Sequence, residues 1–517
     1  MVFSIYSVLA DATHDVADDV SRRSPPAIDS LPKIEPAERS GAFSEPWSWG
    51  KLHRLLSIFG PAAIVASVAI GAGETILVVR AGAWAGYGML WLVLLSVVTK
   101  GIFVTYLLGR YTAVSGELIS QRLVKLPGPR GWLLLLLLGL ELAAAGPLWA
   151  AIARPCGELL SFLLFEGGKN PLIDPRVIST AFIFLALSLS MLLTYERLER
   201  QQLIICSILV IGTIVGTLLV RPDLGAALRG LLSIGSVPQL LDAAPAEFLA
   251  NPLPLMAVTF GYVGGSVLTY LVYADWISLH GWGTTGHQQI SEIRERAAAG
   301  KPADYLPEEA GKIRQVRDSL YPLRWDVGCG ALVLLIVSAS FMLAGAAALY
   351  PRIATGDIAG SFSGWSLLTD QAWIWKSIHP SLVWVYYVCI IVALWGTLQA
   401  YPDIYARGIV AFGKAIAPAR TWHQPEVQMW TCAYVFLVSL AVLWSDWNFH
   451  FLTLIVAFLA TNLGVAIAML AALYLNFQLP PAYRTRWWML LGGVLSAMVL
   501  LAASLITGMS VWGKVSY

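Results

Sequence analysis

The chain has 517 residues, of which 57% are hydrophobic and 13% charged. Soluble domains carry about 25% charged residues, so this composition excludes a water-soluble globule and makes the lipid bilayer the solvent for most of the chain. The net charge of +2 leaves no strongly basic field and excludes nucleic acid as the expected partner.

In chain order, residues 1–50 are acidic, contain prolines and lack hydrophobic periodicity, which predicts a disordered cytoplasmic tail. Residues 51–517 then read as one transmembrane domain. No Lys or Arg precedes the short apolar stretch 2–10, which argues against a cleaved signal peptide. Eleven segments are long and apolar enough to span a membrane: 55–80, 86–109, 131–153, 177–195, 202–220, 254–279, 327–349, 381–405, 428–445, 449–475 and 487–509. Span eight reaches Tyr401-Pro402-Asp403, where proline predicts a kink. Residues 280–324 form the largest polar insert, a solvated cytoplasmic loop in which 290–299 has the pattern of a short amphipathic helix. Lys51, Arg54, Arg110, Arg122, Arg197, Arg200, Arg407, Arg420, Arg484 and Arg486 fall on one side. The positive-inside rule then puts the N-terminus in the cytoplasm and, with an odd span count, the C-terminus outside an inner (plasma) membrane. The 21 tryptophans suit interfacial belts. Cys156, Cys206, Cys329, Cys389 and Cys432 lack C-x-x-C spacing and read as apolar fillers.

Two of these segments carry glycine interruptions at matching places. The first holds Gly71-Ala72-Gly73-Glu74, and the second holds Gly261 and Gly264-Gly265-Ser266. Glycine clusters at bilayer depth give up helix hydrogen bonds, which is tolerated only where the freed backbone is buried or lines a cavity. Counted as five plus five plus one, the interrupted segments are spans one and six. The prediction is therefore an all-α integral membrane protein, a 5+5 inverted repeat with an eleventh helix, whose cargo meets Gly71, Ala72, Gly73, Glu74, Gly264, Gly265 and Ser266.

The stretch from Ile70 to Trp91, IGAGETILVVRAGAWAGYGMLW, resembles the opening of the Nramp (natural resistance-associated macrophage protein) family. The family pattern there is DPGN, a short helix, then QAGA, GY and LLW. The corresponding letters are Arg80-Ala81-Gly82-Ala83, Gly86-Tyr87 and Leu90-Trp91. Leu140-Glu141-Leu142-Ala143, Arg197-Leu198-Glu199 and Asp326 are similar to family features in spans three, five and seven. The resemblance implies a LeuT-like fold working by alternating access, with spans one, two, six and seven rocking against three, four, eight and nine. It also implies a divalent metal cargo. The family's ligands, however, are replaced. Gly71 and Glu74 stand where DPGN supplies Asp and Asn, and Gly265 and Val267 stand where Met and His of the sixth span would be. Leu148 and Ala151 replace the third-span acids. One remaining carboxylate, Glu74, suits a hard, hydrated ion such as Mg²⁺ better than Mn²⁺ or Fe²⁺.

Three charges fall well inside spans: Glu74, Lys100 and Glu141. Each costs about 2.5–3.5 kcal/mol or more at a helix centre unless it faces the bundle interior and finds a partner. Together they are read as a proton and charge network. A purely structural Lys100–Glu141 pair between spans two and three is the alternative. Phe260, Tyr262 and Tyr270 flank the second break as candidate walls of an apolar pocket. Two other functions remain open. One is transport of a small organic solute such as an amino acid, held by backbone groups of the breaks; the other is a membrane sensor or scaffold without transport. No nucleophile–base motif or metal cluster stands out, so neither an enzyme nor a resident cofactor is expected.

Overall fold

The computed structural model describes residues 31–36, 43, 45–71, 73–165, 172–358 and 367–515. Every regular element among them is helical. Nine helices are long and apolar enough to cross a bilayer, with a tenth if the bent pair Trp49–Leu56 and Pro61–Ala69 counts as one. The eleven expected segments are nevertheless all helical. The half-span after the first break is joined to span two without intervening coil, the chain turning at Gly86 (φ +57°) and the short 3-10 stretch Gly86–Met89, and span four is the shorter helix Pro175–Ser190.

Span 1 does not begin at residue 55. Trp49–Leu56 is a separate amphipathic helix, set at 66° to Pro61–Ala69. Pro61 starts span 1a because a first-turn residue has no helical acceptor for the N–H that proline lacks. After the break, span 1b is a π-helical turn, Gly73–Val78, running into Val79–Ala85. Span 6 repeats the design: Leu253–Tyr262 (6a, with Pro254 in its first turn), an extended stretch at 263–266, then Val267–Leu279 (6b). Span 3 (Trp132–Leu164) contains Pro147 and Pro155, and span 8 (Leu382–Ile416) continues as helix through Pro402. Span 3 thus extends beyond the expected 131–153, and span 8 beyond the expected 381–405. The remaining spans are 2 (Leu90–Ser96, the π segment Val97–Val104, Thr105–Ser115), 5 (Tyr195–Val220) and 7 (Tyr321–Ala344, then the π segment Gly345–Leu349). They are followed by 9 (Gln424–Leu443), 10 (Phe449–Val456, the π segment Ala457–Leu463, Gly464–Gln478) and 11 (Trp487–Val515).

Span 6 is completely buried, whereas only 22% of span 5 is. The two broken spans therefore stand at the centre, and the leucine-rich faces of spans 5, 9 and 11 point to lipid. Spans 1b and 7 cross in close contact because glycine sits on both sides. A Cβ at Gly82 would lie 2.3 Å from Met342 O, and one at Gly345 would lie 2.2 Å from Val79 O. All five cysteines are free thiols, three of them buried.

The helix expected over 290–299 is present, and Ala310–Asp318 is a second one in the insert. The insert clamps the end of span 2. Arg122 donates to both oxygens of Glu117 at 2.7 and 2.6 Å and to Lys301 O, while Tyr305 donates to Ser115 O. Residues 31–36, within the segment read as a tail, run along the insert: Ile34 is buried, and its N–H donates to Tyr305 O at 2.9 Å. The rest of 1–30, with 37–42 and 44, lies outside the described residues.

Candidate functional site

The two breaks face each other across a cavity of about 20 Å³, room for about one water molecule. Its wall holds Val68, Ala69, Gly71 and Gly73 from span 1, and Tyr262, Gly264 and Ser266 from span 6. Leu148 and Ile152 of span 3, Thr397 and Tyr401 of span 8, and Thr461 of the span 10 π segment complete it. Glycine is required by proximity here. A Cβ at Gly71 would lie 2.7 Å from Thr397 Oγ1, and one at Gly73 would lie 2.9 Å from Tyr262 O.

Of the residues predicted to meet cargo, Gly71, Gly73, Gly264 and Ser266 line this cavity. Ala72 lies outside the described residues. Gly265 and Glu74 are off the wall: the Gly265 N–H donates to Tyr270 Oη at 2.8 Å, and Glu74 turns toward span 7, where Ser338 donates to Glu74 Oε1 at 3.3 Å. Glu74 is fully buried, and its Oε2 has no hydrogen-bond partner among the described residues. Tyr262 is on the wall with an unpartnered hydroxyl, whereas Phe260 and Tyr270 stand behind it.

The intramembrane charges sit on half-helix ends. Lys100 donates to Phe260 O at 2.9 Å and to Gly261 O at 2.7 Å, the carbonyl end of span 6a. Such ends carry partial negative charge, so a cation is favourable there. Glu141 accepts from Ser266 Oγ at 2.6 Å and from Leu268 N at 3.2 Å, the amide end of span 6b. Asp326 accepts from Gly60 N and Ala62 N, both at 2.9 Å, the amide end of span 1a, and Tyr273 Oη of span 6b donates to the same carboxylate at 2.9 Å. Lys100 and Glu141 are therefore not a pair. The carboxylate whose charge acts on Lys100 is Glu74, with no ion pair or hydrogen bond between the two.

No charged side chain lines the cavity itself, and among the described residues no group of three His, Cys, Asp or Glu could hold a metal ion. Thr397 and Thr461 escaped the sequence reading, since a threonine in an apolar helix ordinarily bonds its own backbone. Both also do so here, to Ala393 O and Ala457 O. Tyr401 stood out only as the neighbour of Pro402. Elsewhere, Asp403 pairs with Arg407 at 2.6 Å, and Asn462 of span 10 reaches Ala257 O of span 6a at 3.4 Å.

Comparisons with known proteins agree with this architecture. Two single-substitution variants of the manganese transporter of Eremococcus coleocola superpose with TM-scores of 0.61 and 0.62 at 13% identity, over 93% and 94% of this chain and 90% of theirs. The same transporter in complex with an aromatic bis-isothiourea substituted compound gives 0.57 at 14% identity, over 94% of this chain and 91% of that one. At this identity the likeness is one of fold: a LeuT-like inverted repeat with broken spans 1 and 6 and an eleventh helix. No curated protein matches the sequence. The family described as natural resistance-associated macrophage protein-like matches residues 62–510, and the chain belongs to it.

Proposed function

We propose that this family member is a secondary-active transporter, working by alternating access, that carries a hard divalent cation such as Mg²⁺ in preference to Mn²⁺ or Fe²⁺. The observation that carries this reading is the charge layout around the breaks. Glu141 occupies the amide end of 6b, Asp326 that of 1a, and Lys100 the carbonyl end of 6a. Val68, Ala69 and Gly71 at the carbonyl end of span 1a line the cavity. Among the described residues no charged side chain neutralises that end, where only Thr75 donates to Gly71 O, and the partial negative charge of a helix C-terminus attracts a cation. The wall around it offers hydroxyls and carbonyls, with no sulfur or imidazole, a donor set that suits an ion keeping part of its water.

The family and the manganese transporters of the same fold support a metal ion as cargo. A cavity of about 20 Å³ has room for about one water molecule, so in this reading a hydrated ion enters only when the two helix groups separate. The clustering of Lys and Arg supports placing the 280–324 insert and the N-terminus in the cytoplasm. A small organic solute such as an amino acid, held by backbone groups of the two breaks, is the second reading of the sequence; against it, the amide end of 6b is already occupied by Glu141.

Proteoliposomes loaded with a Mg²⁺ indicator, and assayed in parallel with Mn²⁺ and a panel of amino acids, test the proposal. Saturable Mg²⁺ influx, faster than Mn²⁺ influx, is expected. Mn²⁺ uptake with proton entry would overturn the choice of ion, and amino-acid flux without cation flux would overturn the cargo class.

A further inference from the structure

We propose that Lys100 is a resident cation: its ammonium fills a monovalent-cation seat at the centre of the fold, so that no coupling alkali ion binds there. The inference deepens the transport reading above, but its main test does not depend on that reading.

The seat is built from the carbonyl end of a broken helix. Unwinding after Tyr262 leaves carbonyls without helical donors, and such ends at mid-bilayer are where coupling ions are held in inverted-repeat transporters. Here Lys100 Nζ donates to two of them, Phe260 O at 2.9 Å and Gly261 O at 2.7 Å. Ser96, one turn earlier on span 2, places its single hydroxyl proton between Phe260 O at 2.9 Å and Val263 O at 2.5 Å, which helps to fix the Phe260 carbonyl that Lys100 also uses. The Phe260 ring centroid lies 5.2 Å from the ammonium, a further electrostatic attraction. Glu74 of span 1b, which makes no direct contact with the ammonium, is the carboxylate whose charge acts on it. Carbonyl oxygens of a helix end, with a carboxylate nearby but not in contact, are surroundings that suit a hard monovalent cation.

The fold is also shaped to admit the lysine. Gly264 has φ +117°, and a Cβ there would lie 3.0 Å from Lys100 Cε and 3.2 Å from Nζ. The glycine that permits the span 6 turn thus also clears the path of the side chain. Lys100 lies in the π segment Val97–Val104, where the wider turn changes which face of span 2 meets span 6. A tethered ammonium cannot dissociate, so the charge that a solute ion would bring and release stays in the protein through the cycle.

Thermal melting of purified full-length protein at constant ionic strength, in sodium, lithium, potassium or choline chloride, tests this. The wild-type midpoint is expected to be the same in all four salts. Lys100→Ala and Lys100→Met are expected to gain a saturable rise of several degrees in sodium or lithium, the signature of a ligand that binds only the folded state. That rise is expected to vanish in the double variant Lys100→Ala with Glu74→Gln. A saturable sodium or lithium rise in the wild type overturns the proposal without recourse to any variant. Variants that fold but melt identically in every salt overturn it as well. In liposomes, Mg²⁺ influx that is unchanged when choline replaces sodium and potassium supports the proposal, and influx that requires sodium overturns it. The melts need no cargo, so absence of Mg²⁺ influx overturns the cargo reading and leaves Lys100 to be decided by them.

Discussion

The Asp326 carboxylate holds the backbone N–H of Gly60, 266 residues away in sequence, at 2.9 Å. With Ala62 N and Tyr273 Oη on the same carboxylate, one side chain of span 7 ties together the starts of spans 1a and 7 and the body of span 6b. Asp326→Ala is expected to cost about 3 kcal/mol of stability, since hydrogen bonds to a charged acceptor contribute about 1.5–3 kcal/mol each and two buried amides lose their partner. It is also expected to raise hydrogen exchange across Pro61–Ala69. Unchanged exchange there would mean that the tie does not hold span 1a closed.

Glu141 acts at the other break as a cap supplied from a neighbouring span. Glu141→Ala removes the acceptor of Ser266 Oγ and Leu268 N and is expected to lower stability by about 1–3 kcal/mol. Glu141→Gln keeps an oxygen for Ser266 and is expected to retain more than half of that. The two melting midpoints, measured side by side, separate a capping role from a charge role: equal losses in both variants would assign the effect to the charge.

Gly264 is expected to tolerate no side chain. Its φ of +117° strains any L-residue, and a Cβ would meet Tyr270 Oη at 2.7 Å as well as Lys100. Gly264→Ala is expected to cost more than about 1 kcal/mol in backbone strain alone and to abolish cation flux in liposomes. Gly311, whose Cβ would meet nothing within 4 Å, is the control, and Gly311→Ala is expected to be neutral or slightly stabilising in its helix. A Gly264→Ala protein with wild-type flux would refute the close fit of break and lysine.

The strap at 31–36 carries a pH dependence whose sign follows from its two ion pairs. A hydrogen bond from Lys33 lowers the Glu308 carboxyl below its ordinary range, and a hydrogen bond to Glu35 raises Lys312 above its own. The Glu308 contribution is present above the unfolded carboxylate value and lost as pH falls through the lowered folded value. The Lys312 contribution is present below the unfolded lysine value and lost as pH rises through the raised folded one. Protection of the Ile34 amide, corrected for intrinsic exchange, is therefore expected to be flat between about pH 5 and 10 and to decline outside that window. Lys33→Glu is expected to lower it at neutral pH. Both pairs lie at the surface, where solvent screens them, so global stability is expected to be unchanged across the same range.

Much of this protein was legible in the residues alone. Membrane residence follows from composition, and the helices follow from apolar runs of spanning length. The position of both breaks follows from glycine clusters at Gly71–Gly73 and Gly264–Gly265, because only glycine gives up helical geometry there at low cost. The three intramembrane charges announced themselves by their expense. These are local properties, carried by a residue and its near neighbours in the chain.

What the residues could not determine is who meets whom. That Lys100 meets the carbonyls of Phe260 and Gly261, while Glu141 turns to Ser266 and Leu268, depends on how spans 2, 3 and 6 rotate about their axes. A π turn in span 2 is enough to change that rotation. Thr397, Tyr401 and Thr461 became walls of the cavity for the same reason: packing of helices distant in sequence chose which face of spans 8 and 10 points inward. The sequence by itself determined where the backbone opens and which charges are available. Tertiary packing alone decided which helix end each charge neutralises, since half-helix dipoles and side chains attract over a few ångströms and only the assembled bundle sets those distances.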